Sequence, residues 1–470
     1  MARLVAWLSI AVATASIVTF VPRDAAACGG CFAPQENPTI VTDHRMVFSI
    51  SKDQSTLYDQ IRYTGSPASF AWVLPITGEV QVGISSDSVF QLLDVMTQTQ
   101  IIAPPRNCPP PPSCPSRNGA TASDAGASGG SGGVEVTKRE TVGPYDTVQL
   151  KATDPQALQN WLALNGYQIP ADVKPVVDQY VAEKFDFLAL KLLPGKQVQD
   201  MRPVRVTTPG ANVVLPLRMI AAGSGANVGI SLWLLGEGRY EPQNFPTFTI
   251  TADELAWDWV SNASNYKDLR AQKTLAGQGK AWEIESSSSL PIGLFKDAMV
   301  NGYFDRTGRG SGYLPGDPDA KGYLPVKNDQ GVVTKTPIEA RTEDLEVLFH
   351  GISAPRATRT RADLAKAALA TDLALSASAD QSQLDKTRQI TREANQPMCP
   401  VYSGCDQVGS APRDEAAAQT ASNNDSLSGG CATIVSKAKS SSPAWLAIGG
   451  GFLALALVKA ARRRRSQPRS

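Results

Sequence analysis

Histidine is almost missing: His44 and His350 are the only two in 470 residues. That excludes metal centres built on several imidazoles and leaves a general base little choice. An excess of either charge is missing too. With 45 basic and 44 acidic residues and a net charge of +1, the chain has no global field to recruit nucleic acid, and no nucleic-acid partner is expected. The G-x-S-x-G elbow, the Walker A loop, the dinucleotide glycine fingerprint and the H-E-x-x-H helix are all absent, so no motif asks for a cofactor. A Ser-His-Asp device would have to use His44, beside a predicted strand, or His350, at the end of an apolar helical turn. Each reads more simply as a polar loop or satisfied core histidine, and no carboxylate pair is singled out for acid–base work. What is present is enough apolar residue for a core, 42% against 19% charged, and length for one large or two ordinary domains.

Both ends speak of export. Arg3 precedes an apolar run over 4–21, and Ala25-Ala26-Ala27 supplies a small-residue cleavage site, so residues 1–27 read as a signal peptide cut between Ala27 and Cys28. Lipid attached to Cys28 and a retained N-terminal helix are the rival readings. At the other end an apolar stretch over 444–461 precedes Arg462, Arg463, Arg464 and Arg465. Basic residues stay cytoplasmic, so 462–470 reads as a cytoplasmic tail and the bulk of the chain lies outside. The stretch is barely long enough to span a bilayer as a helix.

Seven cysteines in an exported chain suggest disulfides and one left over. They fall as Cys28/Cys31, Cys108/Cys114, Cys399/Cys405 and a solitary Cys431. Local pairing within each couple is the simplest expectation, although six cysteines allow about 15 connectivities. Cys28-Gly29-Gly30-Cys31 also has the spacing of thiol–disulfide oxidoreductases. That chemistry normally sits at a helix start, and here Pro34 and Pro38 continue the chain as extended structure.

Between the ends, apolar periodicity predicts strands over 39–50, 55–63 and 70–75, then a helix capped by Ser86 or Ser88. Residues 103–133, rich in Pro, Gly and Ser, read as a disordered insert. Strand character resumes over 134–150. Helices are expected after Asp154 and over 171–183, and strand-length apolar runs over 185–193, 204–206, 213–220 and 228–235. A helix is expected over 253–269 with Trp257, Trp259 and Tyr266 as packing groups, and a short helix over 343–351. Residues 357–362 and 372–378 read as strands rather than one long helix. The repeated Gly-Tyr at 302, 312 and 322 reads as an aromatic-stapled surface loop, because it matches no calcium-loop template. The expectation is an α+β fold with mixed or mainly antiparallel sheets and packed helices, forming an ectodomain over 28–400. A disulfide turn and flexible spacer over 401–443 would join it to a C-terminal membrane segment.

Two resemblances add to this. Gly429-Gly430-Cys431, the apolar stretch and the four arginines resemble the MYXO-CTERM type of sorting signal, which implies processing near Cys431 by sorting machinery and a cell-surface location. Cys28-Gly29-Gly30-Cys31-Phe32, Phe70-Ala71-Trp72-Val73-Leu74-Pro75, Val142-Gly143-Pro144-Tyr145-Asp146, Asn160-Trp161-Leu162 and Leu215-Pro216-Leu217-Arg218 together resemble the bacterial domain of unknown function 2330 over roughly 28–395. That resemblance implies an exported α+β ectodomain and carries no catalytic residue. The functional expectation is therefore an envelope-anchored binding or structural protein, its partners the membrane, the sorting machinery and an unidentified protein or envelope ligand. An envelope thiol oxidoreductase and a hydrolase with an unseen site are the rivals.

Overall fold

The 227–236 segment is apolar at nearly every position, which suits a strand covered on both faces rather than one with a wet side. In a computed structural model, which describes residues 31–32, 40–64, 71–112, 140–151, 160, 163–164, 174–196, 200–221, 227–303, 314–327 and 330–428, that segment lies inside an eight-stranded sheet. The main elements in chain order are β1 (Cys31–Phe32), β2 (Ile40–Ile50), β3 (Gln54–Thr64), β4 (Ala71–Ile76), β5 (Gln81–Ile84), α1 (Asp87–Thr97), β6 (Glu140–Val142) and β7 (Tyr145–Leu150). They continue as α2 (Lys174–Ala182), β8 (Asp186–Leu192), β9 (Val204–Pro209), α3 (Leu217–Ile220), β10 (Asn227–Gly236), β11 (Thr247–Phe248), α4 (Tyr266–Ala276), β12 (Trp282–Ser289) and α5 (Ile292–Asn301). The last are α6 (Pro337–Leu348), β13 (Arg356–Ala365), β14 (Leu373–Ala377), β15 (Met398–Ser403), β16 (Asp406–Pro412) and α7 (Arg413–Ser428).

The large sheet runs β11-β12-β13-β10-β2-β3-β9-β5, and a five-stranded sheet runs β1-β4-β8-β7-β6. Pairing is antiparallel except at β10–β2 and β11–β12. Alternation sorts the side chains. Met46, Phe48, Leu57, Ile230, Leu232 and Leu364 face Trp72, Leu74, Leu188 and Leu190 of the smaller sheet, as strand pleating requires. The intervening residues Val47, Tyr58, Trp233 and Leu235 pack against Phe90 and Leu93 of α1, Phe295 of α5 and Leu348 of α6. On the far side of the smaller sheet Val73 and Phe187 meet Val177 and Tyr180 of α2. The result is four layers: α2, small sheet, large sheet, and the α1/α5/α6 group.

The α+β class and the strands expected from residues 39–63, 70–75, 185–193 and 228–235 are present, as are the strands at 357–362 and 372–378. Four expectations are corrected. Residues 253–269 are not one helix: Thr251 and Glu254 form a capping box on a single 3-10 turn, and Asp258 Oδ1 accepts from the Val260 and Ser261 amides. These local side-chain bonds compete with helix, and α4 starts only at Tyr266. The run over 213–220 is a two-residue strand, Val214–Leu215, before α3, because Pro216 lacks the amide to continue it. Tyr323 is no surface staple; it is 4% exposed, and its hydroxyl donates to Asp344 Oδ2 at 3.0 Å. Residues 401–428 hold the β15–β16 hairpin and the 16-residue α7 where a turn and flexible spacer were expected. Among the described residues no helix is long and apolar enough to cross a membrane. Residues 1–27, 113–133, the 444–461 segment and the arginine tail lie outside the described residues.

Candidate ligand-binding site between the sheets

Where the two sheets diverge at the β2–β3 turn, they leave a cavity of about 230 Å³. Phe48, Leu57 and Val206 of the large sheet and Leu74, Ile76 and Phe185 beside the small one form its walls, with Leu215 and Pro216 across one side. Its volume exceeds the roughly 150 Å³ of an apolar cavity that holds benzene. The polar lining is Ser55, Thr77, Thr208, Asn212 and Asp372. Ser55 Oγ donates to the Gly210 carbonyl at 2.9 Å and accepts from the Asn212 amide at 2.7 Å, which ties the 210–212 turn to β3.

Asp372 is committed to the scaffold. Its Oδ1 accepts from Tyr180 Oη at 2.6 Å and from the Arg218 amide at 3.0 Å, and its Oδ2 accepts from Arg218 Nε and Nη2. Arg218 also forks onto Glu183 at 2.7 and 2.6 Å, a bidentate pair that holds the Glu183 carboxyl below its usual range. Burial and the Asp372 charge push the Tyr180 phenol well up. This cluster ties α2, on the far side of the small sheet, to α3 and to Asp372 at the edge of the cavity.

Two further ionisable clusters lie on the helical side. Asp344 of α6 is buried and accepts from Ser85 Oγ (2.6 Å), Tyr323 Oη (3.0 Å) and Arg205 Nη1 (2.9 Å); burial raises its carboxyl against the pull of Arg205. Arg359 bonds both Glu285 and Asp94, and Arg45 also reaches Asp94. Each pins a helix to the large sheet, and neither opens on the cavity.

Cys31 lies in β1 opposite Trp72, not at a helix start. The local cysteine pairing is overturned: Cys108 is bonded to Cys399 across 291 residues. Cys405 is also in a disulfide, necessarily with a cysteine other than Cys399. The Cα–Cα separation of 5.4 Å is ordinary for such a bond. It became possible because residues 103–112 run onto the β15–β16 hairpin and the start of α7, where Arg413 Nη1 donates to the Arg106 carbonyl. Cys28, Cys114, Cys431, Ala27 and Arg462–Arg465 lie outside the described residues. His350 is exposed at the end of α6, and His44 is buried inside β2.

The model of DUF2330, an uncharacterized protein conserved in bacteria, matches residues 22–304. The chain belongs to the DUF2330 family. No curated protein and no solved structure matches it. The DUF2330 match contains all of the smaller sheet and every strand of the larger one except β13, which stands between β10 and β12. Residues beyond 304 therefore complete the DUF2330 core rather than follow it. The cavity walls fall within the match, apart from Asp372. Sequence reasoning missed the cavity because its walls come from five separate segments, none with a motif of its own.

Proposed function

We propose that the protein is an exported, disulfide-stabilised ectodomain held at the cell surface by its C-terminal segment, and that it acts by binding a small, largely apolar ligand between its two sheets. The observation that carries the binding reading is the cavity of about 230 Å³, concave and mostly apolar with a few convergent polar groups, as ligand sites are. The disulfide between Cys108 and Cys399 supports an oxidising compartment. The oxidoreductase rival draws no support from Cys31, which sits in a strand and lacks the helix N-terminus that activates such thiols.

Val206 is 3% exposed and lines the cavity, so Val206→Phe should narrow it. The mature protein should bind the neutral fluorophore N-phenyl-1-naphthylamine, and the variant should bind it about tenfold more weakly or worse while keeping its near-UV circular dichroism. Equal binding by a folded variant would rule the cavity out as the site.

A further inference from the structure

A second, smaller void adjoins the cavity. It measures about 20 Å³, is bounded by Met46, Asp59, Trp72 and Met219, and shares Leu57, Leu74, Leu215 and Pro216 with the larger cavity. Ser55, Leu57 and Asp59 succeed one another on one face of β3, with Ser55 at the outer cavity and Asp59 at the inner void. Four strand steps separate them, roughly 13 Å. Asp59 is 3% exposed, and its Oδ1 has no hydrogen-bond partner. Its Oδ2 lies 3.6 Å from Nδ1 of His44, beyond hydrogen-bond length, and both ring nitrogens of the buried His44 are also without a partner. Buried polar atoms are rarely left so, and each such atom calls for a water, an ion or a ligand.

We propose that Asp59 is the polar recognition point of the cavity and that the ligand is a slender apolar molecule ending in a primary amine. This rests on the reading of the cavity as a binding site. An ionised carboxylate only accepts hydrogen bonds, so a carboxylate-headed chain would set acceptor against acceptor. A bare hydrocarbon would leave Oδ1 as it is. An ammonium head supplies donors and the compensating charge that a buried carboxylate needs. The void admits one water-sized group, which suits an unbranched –NH3+ head with its chain lying outward past Leu57. Met46 and Met219 beside it are unbranched thioethers that repack easily around an arriving chain.

The test is competition of n-octylamine, n-octanol and n-octanoate against N-phenyl-1-naphthylamine on the full mature protein. Octylamine should displace the fluorophore about tenfold more strongly than octanoate, and the isosteric Asp59→Asn should bring that advantage to about twofold or less. Equal displacement by all three on the wild type would overturn the amine assignment while leaving the cavity reading standing, and it needs no variant to fold. Binding of neither the fluorophore nor any octyl compound would overturn both. An unchanged preference in a folded Asp59→Asn protein would overturn the role of Asp59.

Discussion

Glu283 lies in β12, 2% exposed, with its Oε1 accepting from Tyr266 Oη at 2.6 Å and its Oε2 without a partner. Burial pushes its carboxyl up to about 7, Glu285 adds to the rise, and the Tyr266 hydrogen bond with Arg270 and Arg388 opposes it. Below the ordinary value of 4.5 the group is protonated in both folded and unfolded chains and contributes no pH dependence. Between 4.5 and about 7 the unfolded chain ionises first, so stability falls as pH rises; above that range the loss is complete, at about 3 kcal/mol. Glu283→Gln should therefore be more stable than wild type at pH 8 by up to that amount, and the gap should shrink toward pH 4, as read by urea unfolding. A gap of the same size at both pH values would show that ionisation is not its source. Neither Glu283 nor the orphaned Asp59 was legible in the sequence. A carboxylate in an alternating strand looks like a solvent-facing residue, and only the helices and the second sheet packed over these strands bury it.

At the scale of elements, legibility followed periodicity. The strands β2, β3, β4, β8 and β10 announced themselves as apolar runs of strand length, covered on both faces, and the helix α1 by apolar positions at helical spacing. The region after Thr251 did not, because Trp257, Trp259 and Tyr266 imitate helical spacing while Asp258 and Asn265 bond the backbone into turns: Asn265 Oδ1 accepts from the Ala256 amide at 2.8 Å. The β15–β16 hairpin and α7 were read as spacer because they bury mainly small residues, Ala411 and Ala416 with Cys399 and Val401. So small a cluster leans on its disulfide. Cys108→Ala/Cys399→Ala should cost about 2–4 kcal/mol, and the loss should be local. Hydrogen exchange should accelerate over 398–428 while β2, β10 and β13 keep their protection. A uniform loss across the large sheet would mean that the bond braces the whole ectodomain.

For the whole molecule, the layered body and the ends pose separate questions. The body belongs to DUF2330, and its completion by β13 means that a chain cut at the end of the family match, residue 304, would lose a strand flanked on both sides. The anchoring reading draws on three features of the other end: an apolar stretch short for a span, four arginines that would stop it with the C-terminus in the cytoplasm, and a seventh cysteine on the outer side of that stop. Cys108, Cys399 and Cys405 are taken up in disulfides, and with seven cysteines at least one is left over by parity; the sorting reading assigns that role to Cys431. A temporary hold followed by processing near Cys431 accounts for all three features. Cys431→Ala should then accumulate as an uncleaved form in the inner membrane, and deletion of residues 444–470 should release the ectodomain. Fractionation with intact mass reports both outcomes. A Cys431→Ala protein of wild-type mass and location, the arginine tail still attached in each, would replace the sorting reading with a simple membrane tail.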